Sequence, residues 1–413
     1  MKILLILLIL LIPTCAMASD TVLDTYYEFG RKGSSGLVDE EDLTDEFDYS
    51  KYNVKFSGKL NDSASYYAKY QYYDKDFDSL ENLDNRFHYG GVGVDAPLYK
   101  NGDLLIKAGP DLEFKKKIYQ DSKNLDYDQI KFDIPLTFKK EGDWTIKAAG
   151  GINSYHYSYA PRDQLKLNVS LDVSKKLFDE KLELSAFYKY QYIMRQKIAD
   201  RQETTYGGVM DLKIDSRFIK GLEAGVTRGK DNTIIFEERE DSFDYKYLNW
   251  HIKSKHSFPD RYKTSLKYTD MTREYADFNH NFDGFMIENP WDIRIFEKGA
   301  LSLDMKLGFM HKQYRYPYVA SPFAFYNDAL SSSAELGMKN DWAINMGSDV
   351  RFWKYPARRT NDKIYYIEKV SLDKYFFKKD LTLGFEYKYT FKNFLHRIDI
   401  TESVYRFRGI YKF

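Results

Sequence analysis

The sequence predicts an all-β chain, a single closed antiparallel transmembrane β-barrel of about 20 strands, within a range of roughly 18 to 20. Three observations carry the prediction: strict two-residue alternation, an excess of aromatic side chains, and turn signals that return at a regular interval. Between Leu381 and Lys392 every odd position is apolar or aromatic (Leu381, Leu383, Phe385, Tyr387, Tyr389, Phe391), while even positions carry Gly384, Glu386, Lys388 and Lys392. Successive side chains of a strand point to opposite faces, so this segment has one greasy face and one charged face. A closed sheet with lipid outside and water inside requires that pattern. The mean hydropathy of -0.59 is that of a polar chain, but a barrel shows lipid only every second residue and keeps a polar average. Aromatic residues make up 17% of the chain, with 37 Tyr, and tyrosine suits a boundary where one end of the side chain is apolar and the other wet.

From the N-terminus, Lys2, the apolar run Ile3 to Ile12 and the small-residue site Ala16-Met17-Ala18 read as a secretory signal peptide over residues 1–18, leaving 19–413 as one barrel domain. The run is too short for a spanning helix. Cys15, the only cysteine, leaves with the signal, so the mature barrel forms no disulfide, and Ile12-Pro13-Thr14 does not fit lipoprotein processing. Lys plus Arg total 62 and Asp plus Glu total 62, a balance with no global field for nucleic acid.

Alternation is clear at Tyr52-Val54-Phe56, at Leu165 to Val173, at Leu182 to Tyr192 and at Leu301 to Phe309. Phenylalanines mark short turns at Phe178, Phe218, Phe258, Phe296 and Phe377, spaced by about 40 residues or twice that, with a turn at Asn340-Asp341 in the double interval. The same step backwards meets Lys140 to Asp143, Tyr99 to Asp103 and Leu60 to Ser63, rich in Gly, Asn and Asp. One period is one strand up and one down. Stretches without alternation, read as the loops of the other rim, run over 32–47, 74–84, 118–125, 233–242, 273–281, 314–327 and 356–362. The acidic run Asp39 to Glu46 is read as a solvated loop, with a short helix or a segment in the lumen as alternatives.

The last residues, Ser403 to Phe413, return to alternation and end on an aromatic. Signal peptide, alternating strands, short turns and this last strand together resemble the outer-membrane β-barrel, porin-like proteins of diderm bacteria over the whole mature chain. The resemblance implies a bacterial outer-membrane location, lipid as surroundings, and a barrel-assembly machinery that reads Tyr405, Phe407, Tyr411 and Phe413, although Gly409 interrupts the apolar series.

No catalytic constellation emerges, and the chain is read as not an enzyme. His251 and His256 lie near Ser254 and Ser257, a drawable hydrolase pair that reads as polar strand-end residues. Asp277, Asn279, Asn281 and Asp283 precede Gly284 at alternate positions, as in calcium loops, but no register also supplies the required glutamate and glycine, so a structural turn is expected. No cofactor and no metal is expected. Tyr314 to Tyr326 is the most aromatic stretch without alternation, either a rim loop or a lumenal segment offering stacking surfaces to sugars.

The functional reading is therefore a porin-like channel for passive passage of small hydrophilic solutes or a secreted polymer. Expected pore-lining residues are Lys166, Asp172, Glu183, Lys189, Asp304, Lys306, Glu386, Lys388, Arg406 and Arg408, and their mixed signs predict weak ion preference. The alternative is a structural sheath whose lumen holds a periplasmic partner such as a multihaem cytochrome. The chain has no Cys-x-x-Cys-His, so any haem would belong to that partner.

Overall fold

The structure, a computed structural model, describes residues 21–412 except 39–40, 43–46, 62–63, 78–83, 160–161, 196–199, 235–243, 259–260, 276–280, 317–323, 340, 357–361 and 395–397. The signal peptide expected over 1–18 and the terminal Phe413 lie outside the described residues.

The described chain is one closed antiparallel sheet. Its strands are β1 (Val22–Val38), β2 (Phe47–Lys59), β3 (Ser65–Phe77), β4 (Asn85–Asn101) and β5, which has two segments (Leu104–Ala108 and Asp111–Tyr119). There follow β6 (Tyr127–Lys140), β7 (Trp144–Tyr157), β8 (Gln164–Leu177), β9 (Leu182–Arg195) and β10 (Asp200–Lys213). The second half comprises β11 (Ile219–Ile234), β12 (Tyr245–Phe258), β13 (Tyr262–Tyr275), β14 (Phe282–Lys298) and β15 (Leu301–Arg315). The last strands are β16 (Phe325–Met338), β17 (Trp342–Lys354), β18 (Lys363–Phe376), β19 (Leu381–Phe394) and β20 (Ile398–Lys412). Each strand pairs with the next, and β1 closes the ring on β20, with Val22 opposite Lys412 and Gly36 opposite Ile398. The break in β5 falls at Gly109-Pro110, where proline supplies no N–H, yet pairing to β4 and β6 resumes in register beyond it.

The closed ring of about 20 strands matches the sequence expectation. All nine expected tight turns fall on one rim, the rim that also carries the paired ends Val22 and Lys412. Gly102, Gly142 and Gly299 supply the left-handed backbone in three of them. Phe178 and Phe377 do so without being glycine, and Phe218 and Phe258 touch across neighbouring turns at 5.9 Å.

At the other rim the expected loops are shorter than the sequence suggests, because β1 continues through Lys32 to Val38 and Glu41–Asp42 pairs back on Leu37 and Val38. Backbone pairing to β20 carries Gly33-Ser34-Ser35-Gly36 as strand without any alternation of side chains. Glu41 and Asp42 thus extend a hairpin, and the rest of the acidic run lies outside the described residues.

Six connections on this rim share a device not expected from the sequence. A backbone N–H at or just past the end of one strand donates to a side-chain Oδ1 at or just before the start of the next: Phe77 to Asp84 (2.7 Å), Tyr119 to Asp126 (2.6 Å), Tyr157 to Asp163 (2.7 Å), Arg195 to Asp200 (2.9 Å), Tyr275 to Asn281 (2.6 Å) and Tyr355 to Asp362 (2.6 Å). Each satisfies a donor that the ladder leaves open. Asn281 thus belongs to a structural turn, while 277–280 lie outside the described residues.

Among the described residues no large side chain is fully buried, so there is no central core. The apolar side chains point outward and are bare: Ile130 is 54% exposed, Val169 52%, Ile252 53%, Leu330 55% and Met346 56%. They sit mid-strand on β6, β8, β12, β16 and β17, forming a belt around the outside. Exposed apolar surface on this scale is unfavourable in water and is what a lipid-embedded barrel presents.

Candidate functional site

Alternation fixes the inward face once the outward belt is known. On β8, Val169, Leu171 and Val173 are exposed outward, so Lys166 and Asp172 point into the lumen. The pairing carries the assignment to Glu183 and Lys189 on β9. The same logic puts Asp304 and Lys306 on the inner face of β15, Glu386 and Lys388 on that of β19, and Arg406 and Arg408 on that of β20. Tyr405, Phe407 and Tyr411 share the outer face of β20 with Gly409.

Some of these residues meet. Arg406 donates to Glu28 on β1 (Nε to Oε2, 2.8 Å) and to Glu386 (Nη1 to Oε1, 3.2 Å), and Lys369 on β18 reaches Glu386 at 2.6 Å. Arg408 clasps Asp24 across the closing seam at 2.9 Å, and Arg294 holds Asp304 at 3.0 Å. Lys166 lies over the Tyr155 ring at 4.9 Å and Lys189 over Phe187 at 5.7 Å. Asp172, Glu183, Lys306 and Lys388 form no ion pair among the described residues.

The structure adds wall residues that the sequence did not single out. Lys69 on β3 reaches Glu113 on β5 at 2.8 Å, passing over β4 at Gly91, where a Cβ would come within 2.9 Å of the lysine chain. Tyr67 makes the same crossing to Asp111 at 2.5 Å over Gly93, and Tyr247 reaches Thr205 at 2.7 Å over Gly229. Inward glycines therefore let long side chains lie flat along the wall instead of projecting into the lumen. Lys255 joins Asp211 (2.6 Å) and Glu223 (3.3 Å), and His251 also contacts Glu223 at 3.2 Å.

The drawable hydrolase pair divides between faces. His251 is inward, whereas His256 bonds Ser254 at 2.9 Å on the outer face of β12. Among the described residues no group of three or more His, Cys, Asp or Glu is arranged to hold a metal ion.

The loop-side mouth carries inward-facing rings. Tyr245 on β12 meets Tyr275 on β13 at 5.2 Å, and the Arg273 guanidinium lies over both Tyr245 (4.5 Å) and Phe282 (5.2 Å). Phe282 continues to Tyr314 (4.7 Å), Tyr314 to Phe325 (4.6 Å) and Phe325 to Tyr355 (5.8 Å). Lys363 lies over Trp353, Tyr355 and Tyr365, the first and last of which touch at 4.6 Å. Burial beside Phe282 pushes the Tyr316 hydroxyl up to about 12, with Tyr275 and Tyr314 adding to the rise. The run spans β12 to β18, about a third of the mouth. Tyr314 and Phe325 of the stretch 314–326 thus stand in this inner collar while Tyr326 faces outward, and 317–323 lie outside the described residues.

No family model and no curated protein matches the sequence. Solved structures match in fold. The FrpB iron transporter of Neisseria meningitidis, in its F5-1 variant apoprotein form, has a TM-score of 0.61 at 8% identity, over 96% of this chain and 81% of that one. The alcaligin outer membrane receptor FauA of Bordetella pertussis gives 0.55 at 13% identity, over 93% and 76%. The siderophore receptor PirA of Pseudomonas aeruginosa gives 0.53 at 10%, over 94% and 80%. At these identities the likeness establishes the fold. The chain shares the closed-barrel fold of these outer-membrane proteins, in agreement with the fold that the resemblance of its strands implied.

Proposed function

We propose that the barrel is a passive outer-membrane channel for small anionic solutes. The observation that carries this reading is the charge of two inner stripes. On β2 and β3 the inward positions include Lys51, Lys55, Lys69 and Lys75, and on β12 and β13 they include Lys253, Lys255, Lys267 and Arg273. No inward position of these four strands is a carboxylate. The two stripes stand half a ring apart in the strand order, so they face one another across the lumen.

Most inward carboxylates elsewhere are engaged, with Asp172 and Glu183 among the exceptions: Glu28 and Glu386 by Arg406, Glu113 by Lys69, Asp211 and Glu223 by Lys255, and Glu288 by Lys267, so the stripe cations that no described carboxylate pairs include Lys51, Lys55, Lys253 and Arg273. Lys253, Lys306 and Lys388 have no such partner among the described residues. This wall favours anions, where mixed signs in the sequence suggested weak preference.

An open path fits the dimensions. Barrels of about 16 to 18 strands already hold an aqueous channel, and the 22-stranded transporters have plugged lumens. Here the longest connection between barrel strands runs from 235 to 244, too short for a plug domain. The similar structures are named as a transporter and receptors, which supports transport as the general role.

Purified protein in planar bilayers under a KCl gradient should conduct with a reversal potential of anion-selective sign. Lys55→Glu with Lys253→Glu should move it toward cations. Cation selectivity in the unaltered protein would overturn the proposal, and a correctly inserted barrel that does not conduct would point to the filled sheath instead.

A further inference from the structure

We infer that the aromatic collar at the loop-side mouth is a binding track for an acidic saccharide chain, with sugar rings stacking on its aromatic faces and their carboxylates meeting Arg273 and Lys363. The inference deepens the channel reading by naming what the mouth collects. Aromatic side chains on the outer face of a barrel are explained by the lipid interface, but Phe282, Tyr314, Phe325 and Trp353 lie on the opposite face, where lipid does not reach. Near the water-filled mouth they need another partner.

The angles between neighbouring rings select that partner. Phe282 and Tyr314 meet at 32°, Phe325 and Tyr355 at 42°, Tyr314 and Phe325 at 60°, and Trp353 and Tyr365 at 74°. None of these pairs forms a parallel slot for a flat aromatic solute, which gains most between stacked planes. A sugar ring offers one apolar C–H face and needs one aromatic face at a time, so tilted rings in series suit it. The track crosses seven strands at about 4.8 Å each, on the order of 30 Å of wall, which is the length of a chain rather than of a monomer.

Charge narrows the class further. Arg273 is seated between two rings and Lys363 is shared by three, each within 6 Å of the ring centres, and the carboxylate at the edge of the run, Asp231 against Tyr245, is held by Arg201. Cations held at ring edges favour sugars that carry carboxylates over neutral ones.

The test is calorimetric titration of the detergent-solubilised full chain with tetragalacturonate, maltotetraose and benzoate, beside bilayer conductance. Tetragalacturonate should bind, maltotetraose should bind about tenfold more weakly, and benzoate should not be distinguishable from buffer. Trp353→Ala and Tyr365→Ala should each weaken tetragalacturonate by about tenfold. Lys363→Gln, which keeps the ring framework, should weaken tetragalacturonate and leave maltotetraose unchanged; heat-modifiable migration checks that every variant is folded. Absence of tetragalacturonate binding, equal affinity for both sugars, or preference for benzoate would overturn the inference. The titration needs no conduction, so a conducting barrel that binds no sugar sinks the collar alone, and a sugar-binding barrel that does not conduct sinks the channel alone.

Discussion

Val169 and Ser170 are adjacent on β8 and face opposite ways, which makes them the sharpest probe of the lipid and lumen assignment. Val169 is 52% exposed and stands opposite Gly150 on β7 and Tyr190 on β9. Its outward neighbours along the strand are Leu167 and Leu171, so an arginine there finds no carboxylate. At a rise of about 3.3 Å per residue and a tilt of about 40°, the site lies roughly 13 Å from the loop-side end of β8 and roughly 20 Å from the turn-side end. Both distances exceed what an arginine side chain can reach to find water. The expected cost of Val169→Arg is therefore the full mid-depth value of about 2–4 kcal/mol, roughly 30- to 900-fold in the folding equilibrium.

Ser170 faces the lumen beside Asn168, Lys189 and Gln191. A guanidinium introduced there stands opposite Lys189 in water, a like-charge pair worth about 0.2–1 kcal/mol. Urea titrations of protein refolded into phosphatidylcholine vesicles, followed by heat-modifiable migration, resolve the difference. Val169→Arg should insert poorly and Ser170→Arg nearly normally. Equal tolerance of arginine at the two positions would refute the inside-outside assignment on which every lumenal argument rests.

Deleting Phe413 together with Tyr411→Ala should reduce membrane-inserted protein in cells, since both are expected assembly-signal residues; unchanged insertion, scored by membrane fractionation, would show that the last strand is not read in this way. Asp163→Ala removes the acceptor for the Tyr157 N–H at 2.7 Å from a site only 9% exposed; it should lower stability by about 1–2 kcal/mol, with Asp163→Asn retaining most of it in urea unfolding. Gly229→Val drives a side chain into the Tyr247 ring and displaces its bond to Thr205; a loss of about 1–3 kcal/mol is expected, largely recovered when Tyr247→Ala is added, and no recovery would mean that the ring is not what the glycine accommodates.

Strand number and the turn rim were legible because they rest on local signals: alternation gives each strand, and turn residues recur at one strand pair per interval. What could not be read is anything set by the closing of the ring. Glu28 meets Arg406 across 378 residues of sequence, and no local pattern announces that partnership, although the inward series Asp24, Tyr26, Glu28 is visible once its face is known. The collar was hidden for a different reason. Treating aromatics as lipid-facing works for Tyr188 on β9, but on β12 it would turn Tyr245 and Tyr247 outward and Leu248, Trp250 and Ile252 inward. The outward exposure of Leu248, Trp250 and Ile252 decides the register there, and a one-residue error inverts the whole strand. Similarly, Gly91, Gly93 and Gly229 look like weak points of a strand by composition, whereas packing makes them the places where neighbours lie flat.

Opposing the two cationic stripes, rather than setting them side by side, has a physical consequence for how such a channel selects. A ring of about 20 strands tilted near 40° measures roughly 35–40 Å between opposite backbones, leaving on the order of 25 Å of open lumen after side chains. At physiological ionic strength the screening length is about 8 Å, so each stripe is electrostatically invisible to the other. The barrel therefore concentrates positive charge without mutual repulsion across its axis. In the proposed channel anions would then be enriched in a layer along each wall, while the centre of the lumen would stay neutral and pass solutes of either sign. Near 0.01 M salt the screening length grows to about 30 Å and the two layers merge across the whole section. Anion preference should accordingly be strong at about 0.01 M KCl, modest at about 0.15 M and nearly absent at about 1 M, measured as reversal potentials at a fixed concentration ratio. A preference that does not change over that range would put the selectivity in a constriction much narrower than this wall, and the two stripes would not be its source.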